Sequence, residues 1–309
     1  MLKRVTFLTL LLTLLASQSI AEQKESGFYG NFELGGGYIS NSPAGDEVTD
    51  KNKKISSVHR DMKDDSESVL HISGELGYFN SESDTDMNIG AGEDGLYIGV
   101  TQGVETFGNI GIELGYNSGE VWKDPYVTNR HKTDMESKTI NLTFSELFET
   151  GALLSVGYGE IDVKSDKVTH KDLKRDGKVS TLGAGYSFEI AEENYLTPVI
   201  SFARYSMDGD SQSRDELGLS VESDIMFGKL GLNTKLELAQ SEFDKSHPVF
   251  NKKRKDTDFT LAETVSYFAP FDIEPLYLFL SAGYSKRNSN IKFYDSDGIF
   301  IFSGVGVYF

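Results

Sequence analysis

Ile299-Phe-Ile-Phe-Ser-Gly-Val-Gly-Val-Tyr-Phe309 ends the chain, and its alternation decides how the rest is read. Ile299, Ile301, Val305, Val307 and Phe309 share one parity, broken only by Ser303, while Gly304, Gly306 and Tyr308 take the other. Successive side chains of a strand point to opposite faces, so the stretch predicts a strand with one apolar and one small or polar face. The same signature recurs backwards to Gly27. Leu70, Ile72, Leu76 and Tyr78 alternate with His71, Ser73 and Glu75, and Ile110, Ile112, Leu114 and Tyr116 repeat the pattern. Polar turns such as Thr106-Phe-Gly-Asn109 and Gly228-Lys229 separate the bursts.

Fourteen bursts are counted, including a weak one at Met87, Ile89 and Ala91 that Glu93-Asp94-Gly95 reverses into Leu96, Ile98 and Val100. The weak burst is kept on parity, because thirteen strands would leave the ends on opposite sides; twelve is the alternative count. Short turns alternate with long polar stretches, among them 41–68, 118–136 and 285–298. That asymmetry predicts an all-β, up-and-down antiparallel transmembrane barrel with short periplasmic turns and long extracellular loops. Closure is required, because an open sheet edge cannot be satisfied in lipid. Tyrosines near the strand ends suit interfacial girdles.

The N-terminus predicts the compartment. Lys3 and Arg4 precede an apolar run from Val5 to Leu15, and Ser19-Ile20-Ala21 is a small-x-small cleavage site. Residues 1–21 therefore read as a secretory signal peptide and 22–309 as the barrel. A secreted soluble β protein would share the signal. Removing two cations and no acid changes the net charge from −18 to −18 − 2 = −20. Such acidity argues against nucleic acid as a partner, since binding there rests on neutralising phosphates. With no cysteine there is no disulfide framework or thiolate chemistry. The 38% hydrophobic fraction suits a barrel whose interior is polar.

If the apolar parity meets lipid, Glu33, Glu75, Glu113, Glu222, Asp224 and Glu237 face inward, with Lys235 as the clear counter-charge. Inward acids favour cations. Glycines share that parity and either narrow the wall or let strands bend on closure. Glu263 falls on the apolar parity and Arg204 is ambiguous, so a bulge or a local misassignment is expected there. His71 and Ser73 share a face with Glu75, but sequence picks out no residue to orient the base, and they read as lumen side chains. No metal or cofactor is expected. The histidines lack ligand spacing, and Asp61, Asp64 and Asp65 lack the glycine and distal glutamate of a calcium loop. The run Lys252-Lys-Arg-Lys255 is placed in an outer loop, as a contact for lipopolysaccharide phosphates or as a solvated face.

A terminal strand ending in an aromatic carboxylate resembles the closing strand of bacterial outer-membrane barrels. That resemblance implies that Val305, Val307 and Phe309 are read by the barrel-assembly machinery. The loop Glu120-Val-Trp-Lys-Asp-Pro-Tyr126, the stretch Ser289-Asn-Ile-Lys-Phe-Tyr-Asp295 and the Gly-rich opening strand resemble an uncharacterised family of predicted outer-membrane proteins from marine, Vibrio-like gammaproteobacteria. The likeness implies location and fold, with outer-membrane lipid as surroundings, and no activity. Trp122, Asp124 and Tyr126 either fold their loop over the mouth or stabilise a compact turn. Two functions are expected from the whole. One is a monomeric, narrow, cation-preferring porin-like channel for small solutes or ions. The other is a closed barrel whose loops serve a structural, adhesin or receptor role. No enzymatic activity is expected.

Overall fold

The computed structural model describes residues 25–92 and 95–309; the signal-peptide reading of 1–21 and the Glu93-Asp94 turn lie outside these. The alternating bursts form strands β1 (Gly27–Ser42), β2 (Asp65–Asn80), β3 (Thr85–Gly92), β4 (Gly95–Val104) and β5 (Gly108–Trp122). Next come β6 (Lys132–Ser145), β7 (Ala152–Val163), β8 (Gly177–Tyr186), β9 (Phe188–Ala191) and β10 (Asn194–Met207). The last five are β11 (Arg214–Phe227), β12 (Leu230–His247), β13 (Lys252–Phe268), β14 (Leu276–Ser289) and β15 (Ser296–Tyr308).

Each strand pairs antiparallel with its sequence neighbour except β8 with β9, and β15 returns to β1 in a register that runs from Asn31↔Tyr308 to Ser42↔Asp297. Segments β8 and β9 both pair with β10 and form one stave, interrupted at Ser187. There the Ser187 N–H donates to the Gly151 carbonyl (2.7 Å) and its hydroxyl accepts from Thr197 Oγ1 (3.0 Å). The result is a closed barrel of fourteen strands. The weak burst around Met87 is a true strand, paired on both sides, which settles fourteen against twelve.

The apolar parity is exposed all round. Leu34, Ile72, Ile98, Ile112, Val156, Ile200, Leu219 and Leu280 stand in solvent positions that only a hydrocarbon surrounding would satisfy. The inward parity is less polar than expected. Phe302, Phe279 and Tyr277 are buried together inside the barrel, with Phe300, Ile39 and Val69 packed against them. The inward glycines seat these rings: a Cβ at Gly37 would overlap Phe302, and one at Gly306 would overlap Tyr277.

At one end the strands run further than alternation indicates. β5 continues to Trp122, β6 starts at Lys132, and β14 and β15 leave only residues 290–295 between them. Beyond the hydrocarbon the outward face is no longer apolar, so the period-two signal fades while the hydrogen-bond ladder continues. Glu263 needs no bulge, because the β13–β14 register is unbroken through it. Its carboxylate lies on the lipid-facing side, where the Thr234 hydroxyl donates to it. Arg204 also faces outward, near the outer end, bonded to Asp215 (3.1 Å) and Asp244 (2.9 Å).

Candidate functional site

The candidate site is the lumen and the loops that cover it. All six carboxylates singled out in sequence face inward. Glu33 accepts from Ser73 Oγ (2.8 Å) and Tyr277 Oη (2.8 Å) and lies 3.0 Å from His71 Nε2. Tyr97 Oη donates to Glu75, and Asn141 Nδ2 reaches Glu113 at 3.4 Å. Asn233 Nδ2 bridges Glu222 (3.2 Å) and Asp224 (2.6 Å), while Lys235 pairs with Glu237 at 3.1 Å. Amides and phenols thus hold most of these acids through donors that leave the carboxylate charge in place. His71, Ser73 and Glu33 are brought together, but not as a nucleophile with its base. Ser73 Oγ (3.3 Å) and Glu33 both approach Nε2, and Ser73 donates to Glu33 itself. Serine activation needs the acid on the opposite ring nitrogen.

Towards the outer end the interior gains a band of ion pairs. Arg254 pairs with Asp256 (2.6 Å), Arg287 with Asp258 (2.8 Å) and Arg214 with Glu216 (3.5 Å). The guanidinium of Arg254 lies 3.4 Å from the Tyr294 ring centroid, and that of Arg214 lies 3.5 Å from the Tyr205 centroid. Lys235 is therefore not the main inward cation. The basic run is corrected too: Lys252-Lys-Arg-Lys255 opens β13 instead of lying in a loop, and strand alternation turns Arg254 inward. Lys252, Lys253 and Lys255 stay exposed, the last two against Glu242 (2.8 and 3.3 Å). Below the band, Ser201, Ala203, Ser220 and Ala239 leave an open recess faced by Glu216, Glu237 and Asp258.

Above it the loops close over the mouth. Residues 43–64, between β1 and β2, dock under residues that sequence singled out and one that it did not. The fully buried Trp122 donates its indole N–H to the Glu47 carbonyl (2.8 Å). Arg130, equally buried and 4.6 Å from the Trp122 centroid, donates through Nε to the Asn52 carbonyl (2.8 Å) and through Nη1 to that of Gly45. Burial pulls its pKa down to about 10. The Gly45 N–H donates to the Phe293 carbonyl (2.6 Å), and Ile55 N–H to that of Thr128 (3.0 Å). Tyr126 reaches nearly half-way round the ring: its hydroxyl lies 2.7 Å from that of Tyr294 and 3.2 Å from His247 Nε2. Burial pushes the Tyr126 phenol up to about 12. Asp124 stabilises a local turn by accepting from the Tyr126 N–H (2.9 Å). Trp122 and Tyr126 therefore serve the cover and Asp124 its turn. Arg130 carried no sequence signal, because an isolated arginine in a polar stretch reads as solvated.

Carried in with the docked loop are two adjacent, half-buried carboxylates, Asp46 and Glu47. Burial, and then the charge of Asp46, raise the Glu47 pKa to about 7, while Arg287 and Ser296 act the other way. Among the described residues, the buried Asp46 Oδ1 has no hydrogen-bond partner.

A family model described as a protein of unknown function, DUF2860, matches residues 27–308. The chain belongs to the DUF2860 family. No curated protein matches it. Among solved structures, this DUF2860 protein is similar to the CymD monoaromatic hydrocarbon channel at 11% identity and TM-score 0.51, over 93% of this chain and 90% of that one. It also matches outer-membrane expressed OmpT of Vibrio cholerae (11%, TM-score 0.45, 92% and 97% covered) and OccK7 (OpdD) of Pseudomonas aeruginosa (10%, TM-score 0.39, 91% and 98% covered). At such identities the likeness is one of fold. The DUF2860 chain is an outer-membrane β-barrel protein.

Proposed function

We propose that this DUF2860 protein is a narrow, cation-preferring, porin-like channel for small solutes or ions. The observation that carries the reading is the inward carboxylate wall, where Glu33, Glu75, Glu113, Glu222, Asp224 and Glu237 are held largely by neutral donors. Charges of one sign in a low-dielectric wall set a potential that concentrates counter-ions. The outer band adds arginines and acids in pairs and leaves that sign unchanged. A fold shared with a hydrocarbon channel is compatible with solute passage. The barrel reads as monomeric, set in outer-membrane lipid of a gammaproteobacterium, with Lys252, Lys253 and Lys255 towards lipopolysaccharide. Val305, Val307 and Phe309 are assigned to recognition by the assembly machinery. No catalytic step is assigned.

One observation favours a closed barrel with loop-borne function: Tyr126, His247 and Tyr294 meet across the mouth. Planar-bilayer recording of the refolded protein under a potassium chloride gradient separates the two. Unitary currents with a cation-sided reversal potential are expected. Reproducible insertion without current overturns the channel.

A further inference from the structure

The loop of residues 43–64 is fastened to the barrel mouth from two sides, by the 123–131 and 290–295 connections. Trp122 holds the Glu47 carbonyl, Arg130 holds those of Gly45 and Asn52, and the 290–295 loop holds Gly45. Lys54 and Asn129 form an isolated β-bridge at the rim. Val58 and Met62 rest on the Ile291, Phe293 and Tyr294 cluster, and Lys292 pairs with Asp61 at 2.8 Å. Against these contacts stands an unfavourable element. Asp46 and Glu47 are consecutive acids carried into the mouth together, and among the described residues Asp46 Oδ1 finds no hydrogen-bond partner there. Leaving a buried polar group unsatisfied costs stability that solvent would restore on release.

We propose that residues 43–64 are a hinged lid over the channel mouth, docked by Trp122 and Arg130 and released when the Asp46–Glu47 pair carries its full charge. This rests on the channel reading only for what release uncovers. The charged groups around the pair are Arg287 of β14, which acts on both acids, and Arg130 and Arg254, which act on Asp46, with Ser296 of β15 as a neutral donor to Glu47. Arg287 is itself neutralised by Asp258 of β13 at 2.8 Å, beside the Asp256–Arg254 pair. Asp46, Glu47, Asp256 and Asp258 thus outnumber Arg130, Arg254 and Arg287, and the mouth carries one acid in excess once Glu47 ionises.

The sign follows from linkage. Docking raises the Glu47 pKa from 4.5 to about 7, so the docked lid binds the proton more tightly than the released one. Docking is unpenalised below the released value, weakens as pH rises between the two, and is weakest above the docked value. The difference permits a change in the docking equilibrium of roughly a few hundredfold at most.

Trp122 is the only tryptophan in the chain and is fully buried beneath the lid contact, so its fluorescence reports release without any assumption about conduction. The experiment is acrylamide quenching of the refolded full barrel from pH 5 to pH 9, in three forms. The wild type should show a several-fold rise in the quenching constant with its midpoint between the released and the docked value of Glu47, 4.5 and about 7. Glu47→Gln should stay at the low value throughout. Lys54→Cys with Asn129→Cys joins the bridge pair in an otherwise cysteine-free chain. It should be flat when oxidised and follow the wild type when reduced. A flat wild-type series, or a rise that survives the oxidised tether, overturns the lid. If Glu47→Gln does not refold, the wild-type and tether series still decide. Conductance of the same samples separates the two readings. A barrel that is silent at every pH while Trp122 becomes accessible removes the channel and keeps the lid. Steady current over a flat quenching series removes the lid and keeps the channel.

Discussion

Glu222, Asp224 and Glu237 occupy one stretch of wall with Asn233 and Lys235, so their charges act on a common segment of the lumen. Replacing all three by their amides should keep most of the hydrogen bonding and shift the reversal potential towards zero, readable in the same gradient recordings. An unchanged potential would move ion preference elsewhere. Arg130 is a different case, since it satisfies backbone carbonyls of the buried loop. Arg130→Ala strands the carbonyls of Gly45 and Asn52 at roughly 1–3 kcal/mol for each group left unsatisfied. Acrylamide quenching of Trp122 should accordingly rise at all pH values, including acid ones. Of these residues the acids were legible from parity alone. Arg130 was not, because its partners are carbonyls far along the chain that no local pattern announces.

At the scale of elements, the β12–β13–β14 surface carries a carboxylate where lipid is expected. Glu263 is central among the outward positions Phe259, Leu261, Glu263, Val265 and Tyr267 of β13, and Thr234 lies opposite it in register. A charged group on the lipid face costs up to about 2–4 kcal/mol at the midplane, less for Glu than for Lys or Arg. Glu263→Leu should therefore raise the urea midpoint of the refolded barrel, and a lowered midpoint would show that the carboxylate is needed. The strong strand pairs were readable from alternation, whereas the weak one around Met87 was only allowed by an even count, which twelve also meets, and its pairing on both sides decided it. Their outer ends were not, since both faces of β5, β6, β14 and β15 turn polar where the membrane stops. The inward aromatics carried no sequence signal for a related reason. Phe300 and Phe302 lie on the glycine parity of β15, and only the partner strand shows that Gly37 is absent of side chain to receive Phe302.

Across the whole molecule, closure joins β1 to β15, and the chain terminus sits on that seam. Phe309 exchanges two backbone hydrogen bonds with Gly30 (3.0 and 3.1 Å) while its ring remains largely exposed. Deleting Phe309 should thus cost the finished barrel little, yet lower its yield in the outer membrane if the residue is the assembly signal. Comparing detergent refolding with membrane yield in cells checks this, and an equal loss in both would make the role structural.

Location, fold class and the inward acids were legible in the sequence alone, because period-two alternation records which face meets lipid at every residue of a strand, while the choice of fourteen strands over twelve was made by the pairing of the weak strand on both sides. The arginine band, the glycine seats and the loop cover were decided only by the tertiary structure. Each depends on groups that are far apart in the chain and adjacent only after the ring closes. Arg254 is a solvated lysine-run residue until β13 turns it inward, and Trp122 is an ordinary loop aromatic until residues 43–64 fold across to meet it.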